Sequence, residues 1–309
     1  MHPKQFLIAV SLLCSLPMFS QEKKEKKPVQ IFSSEKAINA TTPETVGLGK
    51  MAFKVSHNFG DIAGKSGGIK NFFGLDNSTD IRIAFHVGIG KKLDAIIGRT
   101  KGAGLQQRAI ELGLKYKLLE QIENDPSHPV AIALYANTVI ATNDANRFPN
   151  QDNSYADFSD RISNLFQLII AKKMGKVSLQ LNPTFLTRGY AISYDQKSMF
   201  ALGGAIKVPI VQNRLNFLID YFHPFRKEVV EDSFKVIDNI KFSDPLGIGF
   251  EILTIGHTFR LNFVNNTEIL ENRFIPRTIT SWDKGQFRWC FTISRNFTLW
   301  REKRKGNVE

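Results

Sequence analysis

The residues Gly60 to Ser66, GDIAGKS, set two glycines, a lysine and a serine in the order of a phosphate-cradling loop. In such a loop backbone N–H groups wrap the phosphates and the lysine reaches the outer ones. The spacing here is one residue short of that motif, and the segment follows an alternating strand pattern, so a glycine-rich surface loop is expected instead. Ser56 and His57 are the residue types of a nucleophile and its base. Neighbouring residues of a strand point to opposite faces, so these two cannot form a dyad with each other. The sequence shows no G-x-S-x-G elbow. His86, His128, His223 and His257 form no H-x-x-x-H pair and join no Cys/His cluster, so no metal and no other cofactor is expected. These residues predict a protein that is not an enzyme.

A different set carries more physical content. Lys54, Arg82, Lys115, Arg161, Arg260 and Arg288 fall, by parity, opposite an apolar row. So do Glu111, Asp220 and Glu251, together with His86 and Gln180. Facing lipid at mid-depth, each Arg or Lys would cost about 2–4 kcal/mol. The set is therefore expected to line a lumen. Two readings stay open: a basic pore that favours anions, or an ion-pair network that fills a narrow barrel.

The elements that would position this set are strands. Runs of about ten residues alternate apolar and polar side chains. Met51, Phe53, Val55 and Phe59 share one face against Lys50, Lys54, Ser56 and Asn58. Ile81, Ile83, Phe85, Val87 and Ile89 oppose Arg82, Ala84, His86 and Gly88. Val177, Leu179, Leu181 and Phe185 oppose Ser178, Gln180, Asn182 and Thr184, and Phe287, Trp289, Phe291 and Ile293 oppose Gln286, Arg288, Thr292 and Ser294. Less regular runs start near Leu93, Arg108, Val130, Arg161, Phe200, Leu215, Leu246 and Thr258. The total is about 12, an even number as in single-chain outer-membrane barrels.

Short turns at Gly90–Lys92, Lys173–Lys176, Pro209–Asn213 and Thr254–Gly256 broadly alternate with long loops at Gly60–Thr79, Asn143–Phe158, Pro224–Asp244 and Asn266–Lys284. That is the asymmetry of periplasmic turns and external loops. Leu118–Pro129 is too long for its periplasmic place, and Lys101–Leu105 is too short for its external one. A closed barrel of about 12 strands would need a ligand, plug or bend to fill an apolar interior. Turning the apolar row out to lipid removes that problem, and closure pairs every backbone group. Two packed soluble sheets are the competing architecture. Tyr116, Tyr190, Tyr221, Phe222 and Trp300 are candidates for interfacial girdles.

The flanks bound the barrel. Lys4 and the apolar run Phe6 to Leu16 read as a signal peptide over residues 1–20, too short to span a bilayer. Residues 21–49 read as a periplasmic linker, 50–300 as the barrel and 301–309 as a basic tail. The net charge of +12 sits partly in two flanking lysine/arginine runs and matches no nucleic-acid module. Cys14 lies in the leader and Cys290 in a strand, so the mature chain has no internal disulfide.

The segments GKMAFKVSHNFGDI, FFGLDNSTDIRIAF, LKYKLLEQ, FSDRISNLFQLIIAKK, SLQLNPTFLTR, FALGGAIK, GFEILTIGHTFRLNFVNN and WDKGQFRWCFTISRNF occur in order. Together they resemble a family of β-barrel proteins of unknown function found in Bacteroidota, over about Ile31 to Trp300. The resemblance implies an outer-membrane barrel and carries over no functional residue. Asn164 departs from it, since an aromatic is expected there in the apolar row.

The expectation is an all-β antiparallel transmembrane barrel in a bacterial outer membrane. Its partners would be outer-membrane lipid, the barrel-assembly machinery reading the aromatic last strand, and a small solute; no nucleic acid is expected. The leading role is a channel or transporter for small solutes with a weak anion bias. The alternatives are a structural or docking barrel that binds a periplasmic or surface partner and, behind both, an outer-membrane enzyme.

Overall fold

The computed structural model describes residues 27–102, 104 and 106–300. The expected signal peptide, residues 21–26 and the expected basic tail lie outside them. Twelve strands are present: β1 (Lys50–Asp61), β2 (Ser78–Gly88), β3 (Leu93–Gly102), β4 (Arg108–Leu119), β5 (Ala131–Ala141) and β6 (Ile162–Met174), then β7 (Val177–Arg188), β8 (Ser198–Val211), β9 (Leu215–Phe225), β10 (Leu246–Leu253), β11 (Thr258–Val264) and β12 (Arg288–Thr298). Each pairs antiparallel with its sequence neighbours, and β1 pairs with β12 to close the barrel. No edge strand is left to aggregate or to meet lipid with open backbone groups.

The alternation read from the sequence is the alternation of the wall. Phe53, Ile83, Phe85, Ile97, Leu112, Leu181 and Phe291 stand on the outside, with Ile83 42% and Leu181 54% exposed. The charged row points inward and is buried. A soluble two-sheet packing would reverse both rows. Asn164 sits on the outer face, where its Oδ1 accepts from Thr138 Oγ1 at 2.8 Å on the paired strand. That bond satisfies part of the amide and lets a polar residue stand in the apolar row.

One anomaly of loop length finds its cause. The long turn between β4 and β5 pairs with the chain's N-terminal segment: Val29 N donates to Gln121 O at 2.8 Å, and Glu123 N to Lys27 O at 2.9 Å. The extra residues form the entry of that segment into the barrel. Residues 31–49 then run through the lumen and are nearly all buried, so they are not the free linker that their polarity predicts. At Gly49 the chain turns out of the lumen into β1 with φ 73°. The site demands glycine, because a Cβ there would meet Trp300 O at 2.3 Å.

The loop end is built up by two short helices. Helix α1 (Glu228–Ile237) lies between β9 and β10 and buries Val230 and Phe234 against Ile192. Helix α2 (Glu271–Arg277) lies between β11 and β12 and is buried along almost its whole length. It belongs to a loop that the sequence reads as external but that folds back into the barrel. The girdle is also only partly as expected. Tyr116, Tyr221 and Trp300 are exposed on the outside. Phe222, next to Tyr221, must point the other way; it is fully buried and packs on Phe274, with ring centroids 5.4 Å apart. Tyr190 packs in the loop cluster with Phe234.

Candidate functional site

The barrel interior is occupied by two inserts, residues 31–49 from the turn end and residues 265–280 from the loop end. The wall holds the first through its backbone. Asp220 on β9 accepts three consecutive amides through Oδ2: Ile38 (3.1 Å), Asn39 (2.5 Å) and Ala40 (2.8 Å). Ser178 donates to Ile31 O at 2.6 Å, and Gln180 and Asn182 both donate to Thr41 O, at 2.8 and 2.9 Å. Lys115 donates to the carbonyls of Thr42 (3.1 Å) and Glu44. Asp94 accepts from Val46 N at 3.0 Å. The segment satisfies only part of its own backbone, as where Ala37 N donates to Ala40 O at 2.8 Å and Thr42 N to Glu35 O at 3.0 Å, and wall side chains replace the water the rest would need.

Ion pairs complete the fit. Lys54 meets Glu35 of the insert at 2.5 Å. Burial pushes the Glu35 carboxyl up, but the charges of Lys54 and Lys115 outweigh it and hold it down at about 2. Within the wall Arg82 pairs with Glu111 at 2.7 Å and Arg260 with Glu251 at 2.9 Å. The first pair reaches across β3 over Gly98, where a Cβ would stand 2.5 Å from Glu111 Oε2. Arg260 also donates to Ser34 of the insert. Arg288 meets Asp61 at 2.6 Å near the loop end.

The second insert touches both wall and first insert. Asp80 on β2 accepts from Ile269 N at 2.9 Å, and Asn272 of α2 donates to Ser163 O at 3.0 Å. Thr41 N and Oγ1 both donate to Glu271 Oε1 at 3.1 Å, and Asn39 exchanges amide bonds with Asn266 at 3.2 Å. Phe274 and Ile275 join Ile31, Phe32, Leu165, Ile169 and Leu186 in one apolar cluster. Part of the inner wall is therefore greasy, where the polar-inside pattern predicts otherwise. The inserts provide the apolar partner that an open lumen would lack.

Ten of the eleven residues expected in the lumen stand there and are at most 4% exposed: Lys54, Arg82, His86, Glu111, Lys115, Gln180, Asp220, Glu251, Arg260 and Arg288. They line a filled interior in which most are engaged by one another or by the inserts. His86 is the exception, with neither ring nitrogen bonded. Arg161 lies just before β6, in a single helical turn (Phe158–Arg161), and donates to Ala141 O and Asn143 O. Sequence reasoning missed Glu35, Asn39, Thr41, Glu44 and Glu271, because it placed their segments outside the barrel. One signal was present: residues 31–49 carry Ile31, Phe32 and small residues in place of the lysine run of 23–27. Ser56 and His57 do take opposite faces: Ser56 Oγ accepts from Thr292 Oγ1 at 3.0 Å, while the His57 ring lies 4.0 Å from that of Phe59.

An apolar outer wall, a charged inner wall and two inserts between them define a plugged transmembrane β-barrel. The chain belongs to the family described as "Membrane bound beta barrel domain (DUF5777)", whose model matches residues 32–297. No curated protein matches it in sequence. Among solved structures it is similar to a NanC porin (7% identity, TM-score 0.49), over 79% of this chain and 98% of that one. A KdgM porin in complex with disordered oligogalacturonate is similar at 7% identity and TM-score 0.47, over 80% and 99%. An outer membrane channel from Pseudomonas putida F1 is similar at 10% identity and TM-score 0.44, over 82% and 98%.

Proposed function

We propose that this protein is a gated channel for small solutes in a bacterial outer membrane of Bacteroidota type, closed when residues 31–49 occupy the lumen. In this reading the short turns face the periplasm, and the N-terminal insert enters from that side. The observation that carries it is the chemistry of the insert's seat. Backbone amides and carbonyls of 31–46 are held by wall side chains that water can serve equally well once the segment leaves. A wall that is polar behind its plug can be wetted. Departure of the insert would also remove Glu35 and Glu44 and leave Lys54 and Lys115 facing the lumen. Buried strand bases (Lys54, Arg82, Lys115, Arg188, Lys207, Arg260, Arg288) outnumber buried strand acids (Asp80, Asp94, Glu111, Asp220, Glu251). A weak preference for small anions follows.

The test is conductance in planar bilayers. The intact chain is expected to be mostly silent, and Asp220→Ala, which releases three amides of the insert, to open with a reversal potential biased towards anions. Silence of both proteins, with the mutant's insert shown by proteolysis to be free, would refute the channel. A docking barrel is the second reading. It rests on α1, whose outer side exposes Val229, Val236 and Ile237 at the loop end. In either reading the aromatic β12 is the segment offered to the barrel-assembly machinery, and no catalytic step is assigned.

A further inference from the structure

Beneath the loop end, where α2 of the second insert meets the wall, lies a cavity of about 20 Å³. Its lining includes Tyr155, Arg161, Arg188 and Arg273, over an apolar floor of Ala109, Val139 and Ala141. Three hydrogen-bonding atoms of this lining have no partner: Arg188 Nε, Arg273 Nη1 and Tyr155 Oη. The side chains of Arg188 and Arg273 are 9% and 5% exposed, and Tyr155 is 8% exposed. Burial pushes the Tyr155 phenol up to about 12, against the opposing pull of Arg273 and Arg161, so it is present as an O–H donor. Leaving such donors buried without acceptors is destabilising.

Three arginines and three carboxylates, Asp160, Asp195 and Glu268, surround the cavity, but only two of the arginines are in ion-pair contact. Arg188 is paired with Asp195 at 2.8 Å and Arg273 with Glu268 at 2.8 Å. Arg161 donates to two neutral carbonyls, Ala141 O and Asn143 O, and stacks 4.9 Å over the Tyr155 ring. Asp160, the carboxylate on the lining, already accepts the amides of Ala156 and Asp157 through Oδ2. The lining therefore offers free donors and, in Arg161, a guanidinium with no carboxylate in ion-pair contact among the described residues. A water molecule would answer the donors but would bring two hydrogens of its own and no charge. The volume lies just above the roughly 10–15 Å³ that one water-sized particle needs.

We propose that this cavity is a binding site for a single small inorganic anion of the size of chloride. The anion accepts from Arg188, Arg273 and Tyr155 beside the Arg161 guanidinium, and in doing so fastens α2 and the loop between β5 and β6 to the wall. The site is independent of whether the barrel conducts.

The test is thermal unfolding of the full chain in detergent, in gluconate buffer of fixed ionic strength, titrated with chloride, bromide or sulfate. Chloride and bromide are expected to raise the melting temperature saturably, and sulfate, too large for the cavity, is not. Tyr155→Phe, which removes one orphan donor and keeps the ring, should weaken the apparent chloride affinity about tenfold. Arg161→Gln should abolish the saturable part. Crystals grown in bromide should show an anomalous peak between Arg188 and Tyr155. A linear salt effect shared by all three anions, a chloride response unchanged in Tyr155→Phe, or ordered water only in the bromide crystal would overturn the proposal.

Discussion

The two inserts fill one lumen by different means. Residues 31–49 have no helix and a single antiparallel bridge of their own, Lys36 with Thr41, and borrow further hydrogen bonds from the wall, with Asp220 alone holding three amides. Residues 265–280 bring a helical turn whose bonds are internal, such as Phe274 N to Leu270 O at 2.9 Å, and press Phe274 and Ile275 into the wall's apolar patch. The first is held by polarity with a smaller apolar share from Ile31 and Phe32, and the second mainly by packing. A charged inner wall thus serves as a template for an otherwise unsatisfied backbone, and an apolar one as the floor for a preformed helix.

The comparison breaks most sharply at Asp220. Asp220→Ala orphans the amides of 38–40, at roughly 4–6 kcal/mol for three buried donors. Amide hydrogen exchange across 31–49 should rise strongly while 265–280 changes little. Equal loosening of both segments would mean that they are held as one. Phe274→Ala attacks from the other side. It removes a fully buried ring, at about 3 kcal/mol. Exchange should rise in α2 and leave the Asp220-bound amides protected.

Acid and base should separate the inserts as well. Glu35 lies below its ordinary value of 4.5, so its contribution is complete above that pH and is lost as pH falls from 4.5 towards 2. Glu268 is raised to about 7, chiefly by burial and by the neighbouring Asp80, against the pull of Arg273 and Arg288. Its neutral form is favoured in the folded chain, so its contribution is present below 4.5 and is lost as pH rises through 7. Protease nicking near residues 31–49 should therefore increase at low pH and nicking near Glu268 at high pH. A single shared pH profile would remove the distinction.

How much of this was legible in the residues follows from the same contrast. Parity identifies which side chains share a face, and it placed all 12 strands within about three residues of their observed starts. It also put Lys54, Arg82 and Glu111 inside. It cannot say what stands opposite a face, because that depends on segments without periodicity. Residues 31–49 have no strand or helix pattern, since the bonds that seat them come from residues 48 to 230 positions away. Leu165 and Ile169 read as breaks in the polar row until Phe274 and Ile31 are seen against them. The long β4–β5 turn was visible as an anomaly, and its partner was not.

The finest test of the comparison lies where the inserts meet. Thr41 Oγ1 and N both reach Glu271 Oε1, so Thr41→Val removes one of two bonds and keeps the shape. The expected loss is about 1 kcal/mol. Glu271→Gln should cost somewhat more, because Lys36 lies 3.8 Å from that carboxylate and loses its charge partner. The informative quantity is the coupling in the double mutant, read from exchange in each insert separately. If the two segments are independently seated, the coupling is confined to residues 39–42 and 270–273. If withdrawal of the first insert needs the second to move, the same coupling of about 0.5–1 kcal/mol must also appear at Ile31 and at Ile275, beyond the direct contact.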